Sequence, residues 1–260
     1  AANNVAMGYQ TLDANTTGAS NTGIGTSSLG ANTTGDGNVA SGYQSLYTNT
    51  TGDKNVASGY QSLYSNTTGT FNVAIGNTAL YTNETGGSNT AVGMSALKSN
   101  SSGSYNTAFG YRALDGNTTG ANNVAVGSDT GSAVTTGSNN TAIGREALYK
   151  VTTQSDNTAI GRAALANTRA SYNTGIGSQA LQENTTGTNN SAIGYRALYN
   201  NTGGAGNVAV GNNALKSNTS GANNVAMGYL SLDANTTGAS NTAIGTSALG
   251  ANTTASNNTA

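Results

Sequence analysis

The stretch NVASGYQSLYTNTTGDKNVASGYQSLYSNTTGTF (38–71) says nearly the same 17 residues twice, and the period fills the chain. Units open at Asn4, Asn21, Asn38, Asn55, Asn72, Asn89, Asn106, Asn123, Asn140, Asn157, Asn173, Asn190, Asn207, Asn224, Asn241 and Asn258. Every step is 17 residues except Asn157 to Asn173, which is 16. The consensus is N-[VT]-A-[IVM]-G-x-x-[AS]-L-x-x-N-T-T-G-x-x. A unit this small cannot bury its own apolar face, so it must stack on copies of itself. Residues 1–260 therefore read as one continuous repeat array without a linker.

A longer period lies above the short one. Residues 2–35 return at 222–255 with five differences in 34 positions, at an offset of 220. That pattern predicts a segment of a longer protein that repeats both the coil and the block of coils.

The residue types select strand over helix. Gly fills position 5 of all fifteen complete units, and Asn-Thr-Thr-Gly or a close variant recurs at positions 12–15, which would interrupt any helix. "NVAIG" and "xALY" are short runs bounded by Gly and Asn and read as two strands per coil. The expected fold is all-β: a parallel β-solenoid of 17-residue coils spaced ~4.8 Å apart.

Each position then acquires a structural role. Gly8, Gly25 and Gly42 at position 5, and Gly18, Gly35 and Gly52 at position 15, are expected at corners with positive φ. Asn4, Asn21, Asn38, Asn55 and Asn72 stack at one coil height, where side-chain amides bond one another. Asn15, Asn32, Asn49 and Asn66 predict a second such column. Leu12, Leu29 and Leu46 represent position 9, which is Leu in every complete coil except the one holding Gly131. Position 3 is Ala apart from Gly23 and Gly175, and positions 2 and 4 are also small or apolar. Both faces of the first strand are thus apolar, one for the coil interior and one for a neighbouring chain; sequence leaves open which is which. A symmetric oligomer follows. Tyr43 and Tyr60, and Tyr47, Tyr64 and Tyr81, fall in register, either gripping sugars or another surface, or stacking on one another.

Composition excludes much chemistry. There is no His and no Cys, so no His-based triad, thiolate or disulfide can form. The carboxylates Asp13, Asp36, Asp53, Glu84, Asp115, Asp129, Glu146, Asp156, Glu183 and Asp233 fall at scattered positions, mostly one per coil. Paired-carboxylate hydrolysis needs two of them close together in a cleft. No Asp recurs as calcium-binding repeats require. The Gly-containing 25–30 and 76–87 lack the lysine of a phosphate-binding loop. No catalytic, cofactor-binding or metal residue is therefore assigned. The net charge of −1 and nine scattered Lys and Arg give no basic surface for nucleic acid. No run approaches the ~20 apolar residues of a membrane span. A polar, low-complexity chain of this kind invites disorder, but the strict apolar period opposes it.

Asn-x-Ser/Thr occurs in register eleven times, including Asn15, Asn32, Asn83, Asn117, Asn184 and Asn235. These are possible glycan acceptors, set against the plain fact that Asn and Thr suit turns. Irregularity gathers in the middle: Gly131 and Val134 in coil 123–139, Val151 and Gln154 in coil 140–156, and the short coil 157–172. Strain, a bend or a recognition site would each produce it.

The pentamers NVAIG (72–76), NTAIG (140–144, 157–161, 241–245) and NSAIG (190–194), with the following xxAL, resemble the head repeats of trimeric autotransporter adhesins. That resemblance implies a left-handed parallel β-roll of three chains that binds host surfaces, matrix or glycan. The coil here is longer by the NTTG corner. The array is also similar to the repeat shafts of phage-tail-fibre-like proteins. The expected function is a non-catalytic, extracellular or cell-surface fibre segment, self-associating as a homotrimer or higher filament. An ice- or surface-binding solenoid and a phage-type tail-fibre shaft are the alternatives.

Overall fold

The computed structural model describes residues 2–260 and contains strands and turns, with no helix among them. Fifteen three-residue strands recur, each at positions 2–4 of its coil: β1 is Val5–Met7, β5 is Val73–Ile75 and β8 is Val124–Val126. Internal contacts divide the chain into two compact units, Ala1–Thr136 with β1–β8 and Gly137–Ala260 with β9–β15. β9 is Thr141–Ile143 and β15 is Thr242–Ile244.

Within each unit every strand pairs in parallel with the next, in a register that places like positions together. Ala57 sits opposite Ala74 and Val56 opposite Val73 in the first unit; Ala192 sits opposite Ala209 in the second. Both units are thus parallel β-solenoids of about 17 residues per coil. The 16-residue coil keeps this register, with Thr158 opposite Thr174. Three residues suffice for a strand because each coil supplies the hydrogen-bond partners of the next.

The pleat settles the face that sequence left open. Position 3 points inward: Ala40, Ala57, Ala74, Ala91 and Ala209 are fully buried. Positions 2 and 4 point outward. Leu29, Leu46, Leu63 and Leu80 fill the interior from position 9, joined by small residues at position 8 such as Ala79 and Ser62. Leu12 lies at the first coil and is only half-buried.

Two expectations need correction. The "xALY" run is not a second strand. Its backbone bends at positions 7 and 9, as in Gln61 (φ +50°) and Leu63 (φ +52°). It still bonds from coil to coil, with the Leu63 amide donating to Ala79 O at 2.9 Å and the Gln61 amide to Tyr43 O at 2.9 Å. A turn conformation replaces the strand because φ alternates, which no extended segment permits. A branched side chain at positive φ is unfavourable by roughly 1–2 kcal/mol. Full burial of Leu at about 1.5–3 kcal/mol offsets that strain. Gly131, which looked irregular, occupies the same backbone at φ +57° without strain.

The second correction concerns glycine. At position 5 the expectation of positive φ is met, with Gly8 at +138° and Gly42 at +135°. Gly18, Gly35 and Gly52 at position 15 do not adopt positive φ. They are glycine because there is no room: a Cβ on Gly18 would lie 2.5 Å from both Asn15 Oδ1 and Gly35 O. Position 17 does take positive φ (Ser20, Lys54, Phe71, Tyr105).

Replacing Leu80 tests the balance of burial and strain. Leu80→Ala is expected to destabilise the array by about 2–5 kcal/mol. Leu80→Gly should be no less stable than Leu80→Ala, reversing the usual order, because Gly relieves the positive φ. Thermal or urea denaturation of the two variants checks it.

Candidate functional site

Two columns of buried asparagine run beside the apolar core. Within a coil, the position-1 amide braces the closing corner: Asn38 Nδ2 donates to Gly52 O at 2.8 Å, and Asn72 Nδ2 to Gly86 O at 2.8 Å. Between coils, Asn21 Oδ1 accepts the Asn38 backbone amide, Asn38 Oδ1 that of Asn55, and Asn55 Oδ1 that of Asn72, each at 2.9 Å. Asn4 starts the column by accepting the amide of Asn21 at 2.8 Å. In the second unit the same chain of contacts runs from Asn140 Oδ1 and the Asn157 amide to Asn241 Oδ1 and the Asn258 amide.

The position-12 column converges on the same carbonyl. Asn66 Nδ2 donates to Gly69 O at 3.0 Å and to Asn49 Oδ1 at 2.8 Å, and Asn83 Nδ2 donates to Asn66 Oδ1 at 2.9 Å. Where both asparagines are present, as at Gly52 and Gly69, the position-15 carbonyl receives two amides, and the glycine leaves room for the coils to come so close. Where Val134 replaces Asn, the column ends and Asn117 Oδ1 is buried without a partner. In the second unit it resumes at Thr168, whose Oγ1 accepts from Asn184 Nδ2 at 3.0 Å.

This geometry bears directly on the sequence-predicted glycan acceptors. Asn32, Asn83, Asn117, Asn184 and Asn235 are fully buried, and the nitrogen that would carry the sugar is hydrogen-bonded inside the coil. Asn15, in the first coil, is half-buried with the same bond to Gly18 O. In the folded chain these corners serve as interior braces and offer no attachment point.

The outward sheet face is the other distinctive surface. Position 4 presents Ile24, Ile75, Phe109 and Val126 in the first unit and Ile143, Ile193, Met227 and Ile244 in the second, all exposed. Position 2 adds half-buried to exposed Val and Thr. A parallel sheet ordinarily has both faces covered. Here the chain covers one. Tyrosines stack from coil to coil: the rings of Tyr43 and Tyr60 at 5.4 Å, Tyr47 and Tyr64 at 5.4 Å, and Tyr64 and Tyr81 at 5.2 Å. Burial, together with the neighbouring Tyr81, Tyr47 and Tyr43, raises the Tyr64 hydroxyl above its ordinary value.

Charged groups pair or cap locally. Arg112 bridges Asp115 at 3.1 Å and Asp129 at 3.5 Å, and Arg145 meets Glu146 at 2.8 Å. Asp53 Oδ1 accepts the Asp36 backbone amide at 2.7 Å. Among the described residues no group of three His, Cys, Asp or Glu is placed to hold a metal ion, and no helix is long and apolar enough to cross a membrane.

Sequence reasoning missed the outward orientation of position 4 and the positive φ of positions 7 and 17. Asn, Asp and Ser at position 17 (Asn122, Asn139, Asp156, Ser240) carry a signal for it. Phe71, Tyr105 and Tyr172 dilute that signal.

No protein-family model and no curated protein matches the chain.

Removing one amide of the interior column should be felt strongly. Asn66→Ala deletes one brace to Gly69 O, leaves Asn49 Oδ1 without a partner and removes one of the two bonds of the Asn83 amide, which keeps Gly86 O. A loss of about 1–3 kcal/mol is expected per buried group left unpaired. Hydrogen exchange should localise the loosening to the coils opening at Asn38, Asn55 and Asn72.

Proposed function

We propose that this chain is a non-catalytic structural segment of an extracellular or cell-surface fibre, working as an oligomer of identical chains with three as the expected number. The observation that carries the reading is the row of outward apolar side chains at position 4, present in both units and broken only at Ser41 and Ser58, with Val, Thr or Ser beside it at position 2. Contiguous exposed apolar surface on a soluble chain marks an interaction site. Because like positions recur every coil, a second copy meets the same chemistry at every level, which suits lateral association along the array. The face is nearly free of charge, so a neutral, equally apolar partner fits it best. The likeness of the NVAIG and NTAIG pentamers to trimeric adhesin heads supports the same conclusion, and the tyrosine columns and Thr corners supply an outer surface for contact with host matrix or glycan.

The ice- or surface-binding alternative draws less support. Position-13 hydroxyls are turned onto the protein itself: Thr33 Oγ1 donates to Thr50 O at 2.9 Å and Thr50 Oγ1 to Thr67 O at 3.0 Å. At the Asn-Thr-Thr corner this leaves the position-14 residue as the more exposed of the two, as Thr34 is beside Thr33. A phage-type tail-fibre shaft shares the oligomeric solenoid and differs in what it is attached to.

Light scattering coupled to size exclusion tests the reading. The wild-type chain is expected at three times the single-chain mass. Lys substitutions at Ile75, Phe109, Ile143 and Ile193 together should yield a monomer with an unchanged circular dichroism spectrum. A folded wild-type monomer would overturn the oligomer.

A further inference from the structure

Twelve of the fifteen complete coils carry Asn at position 12, and the three that do not are consecutive, with Val134, Val151 and Thr168 in its place. Each unit loses its interior bracing here in its own way. In the first unit, Asn83 Oδ1 and Asn100 Oδ1 accept the amide of the following coil at 2.7 and 2.8 Å. Asn117 Oδ1, facing Val134's coil, is buried with no partner. The same coil has Gly131 where Leu belongs, so it also lacks the largest side chain of a normal interior.

In the second unit the bonds turn local. Gln154 stands where a position-15 Gly belongs, and its side-chain oxygen accepts the amides of Thr152 and Thr153 at 3.1 and 3.2 Å. In the 16-residue coil, Asn157 Nδ2 donates to Ser155 O at 3.2 Å, two residues back, and so does not tie the start of its coil to the last corner. Thr168 Oγ1 accepts the Ala170 amide at 3.3 Å, again two residues away. The closing bond returns one coil later, with Asn173 Nδ2 on Gly187 O at 3.0 Å.

We propose that coils 123–172 are a yielding segment, which opens reversibly while the coils before and after it stay folded. Proteins open first where buried contacts and bonds are fewest. Val134 and Val151 are buried and add apolar contact, but such contact is non-directional and does not replace the amide bonds that hold a coil at one height. Those bonds lie inside the coil, so the difference among coils holds whether the chain is single or assembled. The opening does not depend on the fibre reading. Its use does: in a fibre under tension, the chain would lengthen at a set place and spare the remaining coils.

Native-state hydrogen exchange on the full chain, read by mass spectrometry, tests the opening. Amides of 123–172 are expected to exchange at least about tenfold faster than those of 38–105 and 190–240. Gly131→Leu with Val134→Asn and Val151→Asn rebuilds the consensus and should slow exchange across 123–156 toward that of the flanking coils. Gly131 already has the backbone of a position-9 Leu, at φ +57° against +52° for Leu63. Leu63→Gly with Asn66→Val transplants the pattern and should create a second fast-exchanging stretch at 55–71; it decides the matter if the rebuilt variant loses the wild-type circular dichroism spectrum. Exchange at 123–172 no faster than in the flanking coils, a folded rebuilt variant that still exchanges fast, or a transplant without effect overturns the proposal. Pulled from both ends, the wild-type chain should release 123–172 first; a first release elsewhere overturns the role under tension and leaves the exchange result to judge the opening.

Discussion

The fold depends on one interaction: two asparagine amides meeting the carbonyl of the glycine at position 15. An apolar core of Ala and Leu alone is thin, because each coil contributes little more than one buried Leu and two small residues. The rest of the interior is Asn, and a buried amide is tolerable only when it is fully bonded. Stacking provides those bonds at every level, both to backbone and to the next amide. The same bonds close the coil, since Asn38 ties its start to its last corner at Gly52. Hydrogen bonds that elsewhere refine a structure here replace part of the hydrophobic core.

The price of such economy is an incomplete enclosure. The interior has room for position 3 and nothing larger, so the chain directs Val, Ile, Met and Phe at positions 2 and 4 to the outside. A lone solenoid with polar residues there would be self-sufficient. This chain keeps apolar residues at position 4 in all but two of its fifteen strands and alternates Val with Thr or Ser at position 2, which is the feature behind the proposed self-association. Ser41 and Ser58 are the departures at position 4, adjacent in two coils, and mark the least apolar part of the face.

Much of this was legible in the sequence. The 17-residue step located every strand, because the Asn-x-Ala-x-Gly pentamer is the strand plus its flanking residues. Glycine at position 5 announced a positive φ and has one. The parts that were not legible share a cause: one residue type answers to two different demands. Glycine at position 15 looked like a second corner of the same sort, whereas it answers to crowding by Asn15 Oδ1 and Gly35 O. Leu at position 9 looked like a strand residue, because nothing in its chemistry reveals φ +52°. Alternation told that positions 3 and 4 lie on opposite faces but not which is inside; that depends on the volume enclosed by the rest of the coil.

The 16-residue coil carries a wider implication. Losing a residue near its corner leaves the parallel register of Thr158 and Thr174 intact. Coils that keep the consensus interlock with their neighbours through the same atoms, so adding or deleting one of them preserves the junctions on either side. A gene with near-identical tandem segments recombines unequally, and here such slippage would yield longer or shorter proteins that remain properly folded. Length becomes a trait that can drift and be selected without any new structural invention.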